Sequence, residues 1–375
     1  MSMNNFPKLA MARFSEQVSE QFKDKDLISM HGTNPEPFTQ IELEDTVGRS
    51  FNSILKNVNL GFSPDEGTLA LRTTLAAFQY ESITAQDVIT HAGAQEALFC
   101  SFHALLQAND KVLAVAPIFE PLVQIPFNIG CKVSYVHLDS DNMWSLNLES
   151  VETHFKRGCK LFIINFPHNP TGATLTESEL MVVVNLCKKY DVWLLSDEVF
   201  RGLEHSLDYR LPAVADIYEK GISIGVISKG FAIPGIRIGW LACQNKVFRS
   251  RIIDIKGYIS ICNSQVDELL ASVILKNTNK INERNLKIIL KNKNLLNDLN
   301  SLLGYGINVN IPNVGCCVFA TLNDVDSLGA LSLVNLIANQ TGYLLYPSDI
   351  FKSNEQALRI GFGSKEYAKF SKETQ

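Results

Sequence analysis

S-K-G-F-A-I-P-G-I-R-I-G-W, at residues 228–240, is the stretch that decides how this chain is interpreted. It places Arg237 eight residues after Lys229, and the proline and glycines between them favour turns over a continuous helix or strand. A lysine amine can form a Schiff base with an aldehyde, and a guanidinium suits a phosphate. The stretch therefore indicates a site for a ligand that carries both an aldehyde and a phosphate. Taken alone, it also fits a loop with two solvated cations.

Short apolar runs alternate with amphipathic helical segments between Asp87 and Cys243. Segments between the runs, such as Glu177–Tyr190, show helical spacing of their apolar residues. The runs predicted as strands are 87–90, 111–116, 132–136, 160–165, 192–196, 222–227 and 236–243. This alternation predicts an α/β fold with a mostly parallel, seven-stranded sheet that is covered on both faces.

Candidate ligand-binding or catalytic residues follow five of the predicted strands. They are Gly93, Phe119, Asn169, Asp197 and Lys229. Ligands of parallel α/β sheets bind at the carboxyl ends of the strands. We therefore expect these residues to share one site.

Composition and charge limit the functions, partners and locations that are expected for this chain. The chain has 375 residues and a net charge of -5, which gives no reason to expect a nucleic acid or an anionic membrane as partner. No apolar run is long enough to span a membrane, and the N-terminus lacks an apolar signal core, so a cytoplasmic location is expected. The eight cysteines form no C-x-x-C pair and are expected to be free thiols; no metal site is indicated.

Two further regions flank the predicted sheet. Residues 246–303 have a helical composition, and short strand-like runs return at 307–311, 316–322 and 357–362. We predict a smaller α+β domain built from these runs and the N-terminal segment. The predicted boundaries are 1–44 for the N-terminal segment, 45–260 for the large domain, and 261–375 for an interdomain helix and the small domain.

Three more motifs accompany the lysine stretch: G-A-Q-E-A-L at 93–98, N-F-P-H-N-P-T-G at 165–172 and S-D-E-V-F at 196–200. In this order and spacing the chain resembles the fold-type I enzymes that use pyridoxal 5′-phosphate (PLP), specifically the class I/II aminotransferases. The resemblance extends from about Ile28 to Phe362, and the motifs are most similar to those of capreomycidine synthase-like members. It implies PLP as cofactor, a homodimer, and a site at the dimer interface.

The resemblance implies a role for each residue of the catalytic centre. Lys229 would hold PLP as a Schiff base and then carry the substrate proton, and Arg237 would bind the phosphate. Asp197 ends an apolar run, where a lone carboxylate is costly, and the pyridinium nitrogen would be its cationic partner. Asn169 would donate to the cofactor's phenolic oxygen and contact the substrate.

Other matched positions complete the expected cofactor site. The backbone N–H groups of Ala94 and Gln95, at a predicted helix start, and the hydroxyl of Ser228 would bind the phosphate. Phe119, in A-P-I-F-E-P, matches the aromatic residue that stacks on the cofactor ring. For any one phenylalanine, plain core packing is the commoner outcome.

Two positions match residues that bind the substrate in the family. Arg359, in L-R-I-G-F-G, matches the arginine that binds the α-carboxylate through a bidentate fork. An arginine within a short apolar strand needs a buried anion, which favours this role over a surface one. Gly32, in H-G-T-N-P-E-P-F, matches the glycine where the backbone meets the substrate.

The chain departs from the family pattern at three positions. Phe200 replaces the tyrosine that donates to the cofactor's phenolic oxygen, Val226 replaces a serine or threonine that binds phosphate, and Phe62 replaces the tyrosine that reaches the partner subunit's phosphate. Each departure removes a polar contact to the cofactor. Together they weaken the expectation of an efficient general aminotransferase.

The resemblance predicts transfer of an amino group from an L-amino acid to a 2-oxo acid through Lys229. A second possibility is elimination, replacement or cyclisation of a β-substituted amino acid, because these reactions share their early steps with transamination. A third is a catalytically inactive, PLP-binding regulator. The retained Lys229, Asp197, Arg237 and Arg359 argue against the third, as does the lack of an attached DNA-binding domain.

Overall fold

The computed structural model describes residues 6–56, 58–296, 306–323 and 329–367. Part of the predicted helical region, residues 297–303, lies outside these ranges. None of the helices in the described ranges combines the length and apolarity that crossing a membrane requires.

The strands of the described residues belong to three sheets. In chain order they are β1 (Ile28–Ser29), β2 (Val88–His91), β3 (Lys111–Ala116), β4 (Lys132–His137), β5 (Leu161–Ile164), β6 (Trp193–Asp197), β7 (Gly221–Val226), β8 (Gly239–Ala242), β9 (Ile307–Asn308), β10 (Cys317–Leu322), β11 (Tyr343–Leu344), β12 (Tyr346–Pro347) and β13 (Ala357–Gly361).

The α-helices of the described residues precede, cover and follow the largest sheet. They are α1 (Ala10–Gln21), α2 (Gln40–Val47), α3 (Phe51–Leu55), α4 (Leu69–Gln79), α5 (Ala94–Leu105), α6 (Pro121–Ile129), α7 (Leu148–Lys156), α8 (Glu177–Tyr190), α9 (Val214–Ile217), α10 (Lys246–Lys256), α11 (Gln265–Leu275), α12 (Thr278–Lys293) and α13 (Ala330–Thr341).

The largest sheet has seven strands in the order β2-β8-β7-β6-β5-β3-β4. All neighbours are parallel except β8, which is antiparallel to both β2 and β7. The predicted mostly parallel, seven-stranded sheet is confirmed. Strand β8 is shorter than the last predicted strand of this sheet: it spans Gly239–Ala242 rather than 236–243. The residues before Gly239 remain in the loop that carries Arg237.

A second sheet, in the order β12-β13-β10-β9, is antiparallel and lies in the C-terminal part of the chain. Strand β1 pairs in parallel with β11, with Ile28 opposite Tyr343. The N-terminal segment thus pairs with a strand of the C-terminal region. The exact domain boundaries stay a prediction.

Apolar side chains cover both faces of the large sheet. Strands β5 and β7 are buried along their whole length, as expected for central strands of a parallel sheet. Helix α8 illustrates how the layers form, because it buries one apolar face made of Leu180, Val183, Val184 and Cys187. The helix begins with a capping box between Thr176 and Glu179. The result is a rigid sheet whose edge can hold functional groups.

Candidate active site

A cavity of about 390 Å³ lies at the carboxyl edge of the large sheet. All the residues matched to the cofactor or the substrate line it, whereas Gly93, also expected at this site, lies beside Arg237 and is not part of the lining. The matched residues are Gly32, Ala94, Gln95, Phe119, Asn169, Asp197, Phe200, Ser228, Lys229, Arg237 and Arg359. The structure therefore brings the predicted residues together, while their individual roles stay predictions.

The sheet topology explains this convergence. Asp197 is the last residue of β6 rather than the residue after it, and Lys229 follows the end of β7 by three positions. Strand β8 runs in the opposite direction, so its beginning lies at the same edge as the ends of its parallel neighbours. Arg237, two residues before β8, consequently reaches the same cavity.

Lys229 is held by residues that the sequence motifs did not indicate. Its Nζ donates to Thr33 Oγ1 at 2.8 Å and to Asn34 Oδ1 at 2.5 Å. Burial, with a further contribution from Arg359, lowers the pKa of Lys229 to about 8. A lowered pKa increases the fraction of neutral amine near pH 7, and the neutral amine is the nucleophile.

Asp197 is a buried carboxyl group, 4% exposed. Its Oδ1 accepts a hydrogen bond from the Val199 N–H at 3.2 Å, and no ion pair to it is formed by the described residues. Burial raises the pKa of Asp197 to about 7, although the Val199 N–H and Lys229 both act in the opposite direction. A cationic ligand group beside this carboxyl would stabilise its ionised form.

A chain of hydrogen bonds connects Asp197 to Arg359. Asn165 Nδ2 donates to the Asp197 carbonyl at 2.7 Å, and Asn165 Oδ1 accepts from the Asn169 N–H at 2.9 Å. Arg359 Nη1 in turn donates to Asn169 Oδ1 at 3.0 Å. Asn165, to which the sequence motifs assign no role, therefore holds Asn169 and the end of β6 together.

Arg359 is buried, 4% exposed, and has no carboxylate partner among the described residues. Its Nη2 donates to the His31 carbonyl at 2.8 Å, while Nε has no hydrogen-bond partner. The guanidinium carbon lies 4.8 Å from the ring centre of Phe351 and 5.0 Å from that of Tyr346. A buried guanidinium with unused donors is suited to a carboxylate ligand.

The beginning of α5 forms a cradle for an anion. Gly93 has φ of 87°, and a Cβ there would approach Arg237 Nη2 to 2.6 Å, so the guanidinium lies directly against this glycine. A Cβ on Gly239 would approach the Ala94 backbone nitrogen to 2.4 Å. Because no side chain separates these groups, the helix N–H groups and Arg237 can bind one phosphate together.

Two of the three departures from the family pattern line the cavity, and the third is exposed. Phe200 and Val226 line the cavity, and Phe200 is buried. Neither side chain can donate a hydrogen bond there, whereas Asn169 and Ser228, which line the same cavity, can. Phe62 is 86% exposed.

PLP, the cofactor that the resemblance implies, fits this set of residues. Asp197 lacks the cation that a protonated pyridine would supply, and the α5 cradle with Arg237 and Ser228 suits its phosphate. Lys229 offers an amine for its aldehyde, and Phe119 offers an aromatic surface. The described residues contain no group of three or more His, Cys, Asp or Glu side chains that could hold a metal.

The raised pKa of Asp197 predicts a pH-dependent stability of the cofactor-free protein. Folding moves this pKa from 3.8 to about 7, so across that interval the folded state binds more protons than the unfolded state. The stability contributed by Asp197 should therefore fall as pH rises through the interval. In Asp197→Asn this fall should be absent.

Denaturant unfolding at several pH values measures this prediction. The difference in unfolding free energy, wild type minus Asp197→Asn, should decrease between about pH 4 and pH 7 and then level off. Asp45→Asn, which removes an exposed carboxylate, is the control and should not show the decrease. A difference that stays constant or increases over the interval would contradict the environment described for Asp197.

Comparison with known proteins finds a family and several relatives that are similar to this chain. The family model for class I and II aminotransferases matches residues 45–369. Kynurenine–oxoglutarate transaminase 3 of Homo sapiens is 28% identical over 205 residues, which cover 52% of this chain and 45% of the relative. The probable N-acetyl-LL-diaminopimelate aminotransferase of Bacillus subtilis is 24% identical over 93% of this chain and 87% of its own length.

Solved structures extend the comparison to the fold. A PLP-dependent aminotransferase from Streptococcus suis superposes with a TM-score of 0.87 at 24% identity, covering 99% of this chain and 96% of its own. The chain spans 45%, 64% and 48% of the length of the first three curated relatives that it matches. The structural comparison shows the fold, the family model over residues 45–369 shows the family, and the sequence matches to these three relatives are partial.

Proposed function

The chain belongs to the class I and II aminotransferase family, and from this premise we propose that it transfers an amino group from an L-amino acid to a 2-oxo acid. PLP is the cofactor that this family membership implies. One observation carries the proposal: a single cavity contains an amine of lowered pKa, together with a buried carboxyl and a buried arginine that form no ion pair with any residue the structure describes.

Each of these groups has a distinct task in the proposed reaction. When bound, the cofactor supplies an aldehyde for amines and a ring that accepts electrons. Asp197 would keep the ring nitrogen protonated, while Arg237, Ser228 and the beginning of α5 would hold the phosphate.

The substrate is handled by other residues. Arg359 would bind the α-carboxylate with its unused donors and fix the orientation of the Cα–H bond. Lys229, once displaced by the substrate amine, would accept the proton from Cα and return it to the cofactor side. Its lowered pKa near 8 suits this exchange, because a proton carrier is most effective near the working pH.

The test is a half-reaction in which PLP-loaded protein is mixed with single amino acids and the absorbance of the cofactor is followed. Transamination predicts that at least one L-amino acid bleaches the cofactor band and yields its 2-oxo acid without free ammonia. Release of ammonia from a β-substituted amino acid would instead support elimination, and loss of the β-substituent with the amino group retained in the product would support replacement or cyclisation. A protein that binds PLP and reacts with none of the amino acids would overturn the enzymatic proposal.

We also propose that two copies of the chain associate. An apolar patch formed by Leu60, Phe62, Tyr258, Ile259 and Ile261 is exposed, with Tyr258 at 94% and Phe62 at 86%. The two stretches that carry the patch residues lie close together, because Gln265 Nε2 donates to the Phe62 carbonyl at 3.4 Å and Lys256 Nζ donates to the Asp65 carbonyl at 2.6 Å. Exposed apolar patches of this kind mark protein interfaces.

Sedimentation velocity tests the association. Wild-type protein should sediment as a dimer, and Phe62→Asp should shift it toward the monomer because a charge in an apolar interface is costly. A monomeric wild type would contradict the proposal.

The cysteines bear on the location of the protein. All eight cysteines are free thiols, which supports a reducing, cytoplasmic location.

A further inference from the structure

Helix α12 contacts the loop that carries Lys229 through one buried asparagine. Asn285 is fully buried, and its Nδ2 donates to the Gly230 carbonyl at 3.0 Å. Gly230 directly follows Lys229 in the chain, and a Cβ added to it would approach the Arg201 carbonyl oxygen to 2.3 Å. The peptide beside Lys229 is therefore closely packed and is also held by a hydrogen bond from α12.

Arg284, the neighbour of Asn285 on α12, binds the N-terminal segment. Its Nη1 donates to Asn285 Oδ1 at 3.0 Å and also to the Glu36 carbonyl. Its Nε and Nη2 donate to the two carboxylate oxygens of Glu42 at 2.9 and 3.0 Å. Segment 36–42 is thereby fixed to the same turn of α12 that holds the lysine loop.

The N-terminal segment also contacts the side chain of Lys229. Thr33 and Asn34, which accept hydrogen bonds from Lys229 Nζ at 2.8 and 2.5 Å, lie just before the residues that Arg284 binds. The backbone beside Lys229 is held by Asn285, and the segment that holds the Lys229 amine is held by Arg284. One pair of neighbouring side chains on α12 therefore fixes both ends of this lysine.

This arrangement indicates a role in the site for a residue that does not line it. We propose that Asn285, supported by Arg284, is a positioning residue that keeps Lys229 Nζ in place for reaction with the cofactor aldehyde. The proposal rests on the proposed function, in which Lys229 is the lysine that binds PLP. Without the Asn285 donor, the buried Gly230 carbonyl would lose this hydrogen bond, and the loop would shift to find another donor.

The ionisation of Lys229 reports such a shift. Burial is the main cause of its lowered pKa of about 8, and the titratable groups that also act on this pKa are Cys316, Arg359, Cys317 and Asp197. A shifted loop would expose the amine to water and weaken the effect of burial, so the pKa should rise toward its ordinary value of 10.5. A rise of one unit lowers the fraction of neutral amine near pH 7 by about tenfold.

The test follows the capture of PLP by the cofactor-free protein, from the absorbance of the Schiff base, between about pH 6 and pH 10. Asn285→Leu replaces the amide with an apolar group of similar size. In this variant the midpoint of the rate–pH profile should move up by about one unit, and the rate at pH 7 should fall by about tenfold. An unchanged midpoint in the folded variant would overturn the positioning role.

Asn292 provides the matched control on the same helix. It is buried, lies about two turns further along α12, and its Nδ2 donates to the carbonyls of Phe362 and Ser364 at 2.9 and 2.7 Å. Asn292→Leu should lower the free energy of unfolding, as Asn285→Leu does, but should leave the midpoint of the capture profile unchanged. Equal shifts of the midpoint in the two variants would show that Asn285 acts through general stability alone and would overturn the proposal.

Arg284 keeps the proposal testable if Asn285→Leu does not fold. Arg284→Met retains the apolar stem but removes every donor to segment 36–42, so the midpoint should again move to higher pH. Arg284→Lys keeps the charge without the planar fork and should produce a smaller shift. An unchanged midpoint in Arg284→Met would overturn the proposal, because the position of the Lys229 amine would then not depend on this pair.

The positioning role and the proposed function fail separately. Borohydride reduction and peptide mapping identify the lysine that captures PLP in each protein. If the wild type captures PLP on Lys229 and the variants keep its pH profile, the positioning role falls and the proposed function stands. If the wild type captures PLP elsewhere or not at all, the proposed role of Lys229 falls, and the positioning role falls with it.

Discussion

Replacing Lys229 with alanine should abolish amino-group transfer, with a loss of about 10³-fold or more in the rate of the half-reaction. The variant loses both the amine that would react with the cofactor and the group that would carry the substrate proton. It should still bind PLP, because the α5 cradle, Arg237 and Asp197 remain. Stopped-flow absorbance with a reactive amino acid measures the rate.

The matched control is Lys229→Arg, which keeps a positive charge but has no amine that can lose its proton near neutral pH. It should be as inactive as Lys229→Ala. If either variant retained a rate within about tenfold of the wild type, Lys229 would not be the proton carrier. Equal loss in both variants separates the chemistry of the amine from its charge.

Replacing Arg359 with alanine should mainly weaken the binding of amino acids. Truncation of a buried, charge-assisted contact costs about 2–5 kcal/mol, so the specificity constant of the half-reaction should fall by at least about tenfold. Arg359→Lys keeps the charge without the planar fork and should fall between the alanine variant and the wild type.

A substrate comparison identifies the group that Arg359 recognises. In the wild type, amines that lack an α-carboxylate should react much more slowly than amino acids, and Arg359→Ala should remove most of this difference. If such amines react with the wild type as rapidly as amino acids do, Arg359 does not bind the carboxylate.

The sheet was predictable because its signal is local. Apolar runs such as 222–227 and 160–165 are short and are separated by helical segments, which is the pattern of a parallel α/β sheet. Once the strands were assigned, Asp197 and Lys229 had to lie at the same edge. The direction of β8 was not predictable, because the periodicity of apolar residues is the same in parallel and antiparallel strands.

Contacts between distant parts of the chain could not be read in this way. Thr33 and Asn34 bind Lys229 from nearly two hundred residues away, and Met11 reaches the cavity only because α1 packs on Tyr346. No spacing rule connects such positions. For Thr33 and Asn34 the local signal is their position beside Gly32, a residue matched to the substrate through its backbone alone.

The most direct test of the central claim is chemical trapping of the cofactor on the protein. PLP-supplied protein is reduced with borohydride, digested, and its peptides are mapped by mass spectrometry. We expect one pyridoxyl group, attached to Lys229. A pyridoxyl group on another lysine, or none at all, would contradict the proposed role of Lys229.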